Sequence, residues 1–165
     1  MPDNPLRSRE TYEQFLYTLP VRHPAIRLST LVYIPSGAYF GHVEGFILFD
    51  KQIALCVLEH LTFLTVGEIE RYSYEASRSD MTLDRLVALS ASVYCAAGYP
   101  NKEKLYWYDS FAHPNIPELQ VNHPHHKHVP PDIKHHRVPA PELSFTRPNL
   151  LVLIEEIVSL SPTPQ

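Results

Sequence analysis

Eight prolines fall between Pro114 and Pro148, at positions 114, 117, 124, 130, 131, 139, 141 and 148, so no long helix can run through this stretch. Each proline lacks a backbone donor, fixes its own φ and pushes the preceding residue toward extended geometry. The segment must be an ordered extended loop or an edge strand, and the rest of the chain has to supply the regular core. Seven of the ten histidines lie in the same stretch: His113, His123, His125, His126, His128, His135 and His136. Lys127, Lys134 and Arg137 are interleaved with them, and the acids between residues 113 and 137 are Glu118 and Asp132. The ribbon is therefore locally basic, in a chain whose formal net charge is −4.

The remaining sequence can build a core. With 44% hydrophobic residues in 165, the chain fits one domain over residues 1–160, with 161–165 expected to fray. Cys56 and Cys95 both sit among apolar neighbours, which suits small buried thiols in a reducing compartment better than a disulfide framework. No apolar run reaches about 18 residues and no signal-like start is visible, so the expected location is cytoplasmic, with no membrane partner.

Residues 9–19 place Tyr12, Phe15, Leu16 and Leu19 on one helical face, with Ser8 as cap and Pro20 as stop. Extended segments follow at 25–34, 39–49, 52–64 and 68–75, with Asp50-Lys51 as a hairpin link. Leu83, Leu86 and Val87 have helical spacing, with Asp80 or Thr82 as cap, and Ala91–Ala97 reads as helix or strand. Residues 104–109 form a fifth strand. A C-terminal helix opens at Thr146-Arg147-Pro148-Asn149, with Thr146 as cap, Pro148 in its first turn and Leu150, Leu153, Ile154 and Ile157 as its apolar stripe. The expected fold is α+β: an antiparallel sheet of about five strands, N-terminal and C-terminal helices, and the His/Pro ribbon crossing the sheet edge with its imidazoles exposed around Asp109.

Three readings of the histidine cluster compete. As a metal site, His123, His125, His126 and His128 form a short tract able to chelate zinc or nickel, although Lys127 would oppose a cation. As a phosphodiester site, histidines on either side of a substrate act as base and acid near neutral pH, while Lys127, Lys134 and Arg137 hold the phosphate. RNA carries its own nucleophile, the 2′-hydroxyl, so this chemistry needs no cofactor; Tyr106, Trp107, Tyr108 and Phe111 could stack on bases. As structural groups, histidines beside prolines satisfy backbone polar atoms. Glu59, alone in an apolar strand, either reaches an edge or orients a histidine.

The run Tyr106-Trp107-Tyr108-Asp109, then His113-Pro114, then Pro124-His125-His126-Lys127-His128, ahead of an apolar helix, resembles the TumE family of toxin–antitoxin toxins. The resemblance spans roughly Glu44 to Ser159, with Glu59 matching a glutamate on the family's upstream hairpin and residues 76–103 looking like an insertion. It implies a growth-inhibiting toxin paired with a helix-turn-helix antitoxin. Trp107 stands where the family usually has Arg, and Lys102 or Lys104 is the candidate substitute. Combined with the residue chemistry, the expectation is a metal-independent endoribonuclease acting on RNA. In it His126 and His128 form the acid–base pair, Asp109 orients a histidine, His113 is a second candidate base, Lys127 and Arg137 hold phosphate, and Tyr108 contacts substrate. The alternative is a non-catalytic or metal-binding interaction protein, and assembly as a homo-oligomer stays open.

Overall fold

The computed structural model describes residues 4–49, 53–63, 69–80, 83–90 and 104–160. Ser8 starts helix α1 (Arg9–Arg22) through a capping box: its Oγ accepts from the Thr11 amide (3.1 Å), while Thr11 Oγ1 accepts from the Ser8 amide (3.2 Å). Tyr12, Phe15, Leu16 and Leu19 form its buried face, as their spacing predicts. Pro20 does not stop it. Placed in the last turn, the ring removes one backbone bond where few remain, and the helix runs on until the His23 amide bonds the Leu19 carbonyl (3.0 Å).

The sheet has eight strands rather than five: β1 (Ile26–Ser29), β2 (Val32–Pro35), β3 (Phe40–Phe49), β4 (Ile53–Phe63), β5 (Ile69–Asp80), β6 (Lys104–Asp109), β7 (His126–His128) and β8 (Arg137–Pro139). Neighbours run antiparallel in the order β1-β3-β4-β5-β6-β7-β8, with β2 also paired to β3. Two causes raise the count. The apolar run 25–34 breaks at Thr30, whose amide and hydroxyl both bond Phe46 of β3. Gly45 permits that approach, because at its φ of 137° a Cβ would lie 2.7 Å from the Thr30 carbonyl oxygen. The other cause is the His/Pro ribbon itself, which contributes β7 and β8.

β5 extends to Asp80, so residues 76–80, expected to open an insertion, pair with β4 and β6. Asp80 therefore ends a strand. Helix α2 (Leu83–Ser90) follows, burying Leu86 and leaving Leu83 and Val87 exposed. The Asp50-Lys51 link, Thr82, Ala91–Ala97, Cys95, Lys102 and the tail 161–165 lie outside the described residues. The last helix, α3 (Asn149–Leu160), begins after Pro148 rather than around it, and Thr146 Oγ1 meets Ser144 Oγ (3.2 Å).

Strand alternation gives the sheet two unlike faces. Val43, Ile47, Leu55, Val57, Tyr74, Ala76, Tyr106 and Tyr108 join the α1 stripe and Leu150, Leu153, Ile154 and Ile157 of α3 in the main core. On the other face Phe46, Leu48, Ala54 and Cys56 pack against Leu86. Beyond them, over β5 to β8, that second face becomes polar. Ile154 has no exposed surface, so Ile154→Ala is expected to lose about 2–5 kcal/mol of stability. A urea titration with a lower midpoint and unchanged slope checks this.

Candidate functional site

The run Tyr106-Trp107-Tyr108-Asp109 is a strand, so its side chains alternate. Tyr106 and Tyr108 enter the helical core, and Trp107 and Asp109 point to the opposite, polar face. β7 lies directly beside it, pairing Trp107 with His128 and Asp109 with His126. The three polar side chains meet. Asp109 Oδ1 lies 2.9 Å from His126 Nε2, and its Oδ2 lies 3.0 Å from His128 Nε2. The two Nε2 atoms are 3.1 Å apart.

Both imidazoles are held from behind. His126 Nδ1 donates to the Pro124 carbonyl (3.0 Å), and His128 Nδ1 donates to the Ile133 carbonyl (2.9 Å). Because a carbonyl oxygen only accepts, each ring carries its proton on Nδ1 and directs Nε2 at the carboxylate. Asp109 also has donors of its own, Trp107 Nε1 to Oδ2 and the Phe111 amide to Oδ1, both at 2.9 Å. Burial alone would raise the Asp109 pKa. The bonds to His126 and His128, the His126 charge and the Phe111 amide outweigh it and hold the carboxyl well below its usual range. Trp107 completes the frame by stacking on His128 with ring centroids 3.9 Å apart.

This arrangement corrects the expectation of exposed imidazoles: His126 is 1% exposed and His128 4%. The prolines straighten the ribbon without freeing it, because β6 supplies a pairing edge. The two rings share one carboxylate and face each other, with their Nε2 atoms 3.1 Å apart. His113 stands beside them, its ring centroid 5.0 Å from that of His126, and is less buried. Its pKa is lowered by burial first, then by the positive fields of Arg137 and His126, partly offset by Asp109.

The other expected residues divide between the faces. Arg137 on β8 is directly opposite His128, so it shares the polar face, and its Nε is buried with no hydrogen-bond partner among the described residues. Lys134 is exposed in the turn before β8. Lys127, between the two histidines, points the other way: its Nζ lies 3.2 Å from Glu156 Oε2 of α3 and 4.2 Å from the Tyr106 ring centre. The Tyr108 hydroxyl bonds the same Glu156 (2.8 Å). Glu59 is buried on the main-core face beside Tyr74, where the Tyr12 hydroxyl donates to it, on the side of the sheet opposite His126 and His128.

The candidate metal set divides as well. His125 stacks on Tyr74 and shares a 2.6 Å hydrogen bond with its hydroxyl. His123 Nε2 accepts from the His113 amide (3.1 Å). Of the four, His126 and His128 remain, joined by Asp109. Among the aromatics, Tyr106, Trp107 and Tyr108 are buried, and Phe111 is 71% exposed. Phe111 borders a cleft of about 360 Å³ with Leu58, His60, Glu75 and Ser110, next to Asp109 in sequence. Lys104 is tied to Glu75 (3.2 Å) and lies over the Trp107 ring.

Three participants have roles that the sequence reading did not assign. Trp107, expected to stack on a base, stacks on His128 and donates to Asp109. Glu75 and Glu156 carry no local signal of a distant lysine partner in the sequence.

No helix among the described residues is long and apolar enough to cross a membrane. The family described as Toxin TumE matches residues 36–161, more than half of the chain and wider than the stretch that carries the resemblance. No curated protein and no solved structure matches.

Proposed function

The chain belongs to the TumE toxin family, and from that premise we propose that it arrests growth by cleaving RNA at the Asp109–His126–His128 centre. The observation that carries this reading is the convergence of one carboxylate and two imidazole Nε2 atoms within 3.1 Å. Beside them lie a guanidinium, from Arg137, and a third, less buried imidazole, from His113. In this reading an Nε2 of the centre takes the proton of a 2′-hydroxyl, whose oxygen attacks phosphorus as the bond to the 5′-oxygen breaks. His113 donates the proton taken up by that leaving oxygen. The products are a 2′,3′-cyclic phosphate and a 5′-hydroxyl end. Arg137, with Lys134 further out, offsets the charge that builds on the phosphate. Phe111 offers a ring face to an unpaired base at the neighbouring cleft. The partner is a helix-turn-helix antitoxin encoded beside the toxin, which silences it until released.

Induced expression with and without that antitoxin, followed by end-mapping of cellular RNA, tests the reading. Growth arrest accompanied by new 5′-hydroxyl ends is expected. Arrest with intact RNA overturns the ribonuclease while leaving the toxin. Within the site, Arg137→Ala is expected to lower cleavage by about 10–100-fold, as loss of one charge-stabilising donor does. Lys127→Ala, which removes a cation bonded to Glu156 on the other face, is expected to change cleavage by less than about threefold. Initial rates on a short RNA compare the two.

A further inference from the structure

We infer that Asp109, His126 and His128 bind one divalent transition-metal ion of the zinc class. The three residues each offer a ligand atom, and these atoms lie within 4.8 Å of one another. Their closest separations, 2.9, 3.0 and 3.1 Å, lie a few tenths of an ångström inside the roughly 3.3–3.4 Å between tetrahedral ligands whose bonds to a metal are about 2.0–2.1 Å long, so a small outward shift of the rings would seat an ion.

The hydrogen-bond pattern points the same way. Both Nδ1 atoms donate to backbone carbonyls, so both Nε2 atoms and a carboxylate are aimed at a common point in a buried setting. Such atoms repel unless something positive lies among them. A proton can bridge one edge of the triangle; a cation satisfies all three. The carbonyls behind the rings, and Trp107 Nε1 and the Phe111 amide behind the carboxylate, are the supports that fix metal ligands in orientation.

Two imidazoles select against magnesium and calcium, which take oxygen ligands, and for zinc or a neighbouring late first-row ion. Three protein ligands leave a position open for water or substrate, the pattern of a reactive rather than a structural zinc site. Lys127, the charge that would have opposed a cation, faces away and is neutralised by Glu156. The inferred ligand set replaces the four-histidine tract suggested by the sequence, and the metal replaces the metal-free chemistry expected from it. The site stands on geometry alone; its use in RNA cleavage rests on the ribonuclease reading.

The test is made without RNA. The full chain, stripped with chelator, is titrated with zinc chloride by calorimetry and with cobalt chloride by visible absorption. One equivalent per chain is expected, with His126→Gln and Asp109→Asn each weakening zinc binding by at least about 10–100-fold. His135→Gln, at an exposed pair with Asp132, should leave it unchanged. Zinc-edge X-ray absorption on the unsubstituted chain should count two imidazoles, and it decides the question even if a variant misfolds. No binding, a sphere without two imidazoles, or zinc lost with His135 and kept without His126 overturns the site. Zinc binding by a chain that cleaves no RNA would sink the ribonuclease and leave the metal site standing.

Discussion

Cells induced to make the His126→Ala, His128→Ala double variant are expected to grow like uninduced cells, under conditions where the unsubstituted chain stops them. The two rings supply both nitrogen atoms of the centre and anchor Asp109, so their removal takes away proton transfer and any metal activation together. A positioned acid or base is worth about 10²–10⁴-fold in rate, and cleavage of a short RNA should fall by at least about 10³-fold. Both rings are buried, so a folding defect has to be separated from a chemical one. Circular dichroism and retained antitoxin binding make that separation. His135→Ala, His136→Ala, which removes two exposed imidazoles from the turn before β8, should remain fully toxic. A folded His126→Ala, His128→Ala chain that still arrests growth would place the toxic chemistry elsewhere in the molecule.

The sequence located this centre better than it arranged it. The bounds of β6 and the four-residue stripe of α3 were legible because each is a local periodicity over a continuous run. The proline series likewise announced an extended ribbon around His126. It did not announce the neighbour. Whether that ribbon lay on the surface or paired as strands depended on the free edge of β6, a contact between segments distant in the chain. Pairing explains both the extra strands and the burial of imidazoles expected in solvent. The misplacement of Lys127 has a different origin. The alternation that puts His126 and His128 on one side puts Lys127 on the other, so the signal was present, and the basic composition of the segment masked it. Glu59 was ambiguous by nature: a carboxylate in an apolar strand needs a partner, and the sequence could not say that Tyr12 of α1 would provide it.

Trp107 gives the second large effect, because one side chain holds two members of the centre. Its ring stacks on His128, and its Nε1 donates to Asp109 Oδ2 at 2.9 Å. Trp107→Phe keeps an aromatic face and deletes the donor, leaving the Phe111 amide and the two imidazoles to orient the carboxylate. Loss of a hydrogen bond to a charged group costs about 1.5–3 kcal/mol, and loss of a supporting contact of this kind lowers activity by about 10–100-fold. Trp107→Ala removes both functions and opens a cavity beside Lys104 and His128, so it should cost about 3–5 kcal/mol and abolish growth arrest. Urea unfolding and RNA cleavage, measured on both variants, separate the contributions. If Trp107→Phe cleaves RNA at the original rate, the indole N–H does not position Asp109, and the tryptophan serves packing alone. If cleavage falls in Trp107→Phe by far more than stability does, the indole N–H is the brace of the centre. Phosphate contact then falls to Arg137 across the sheet.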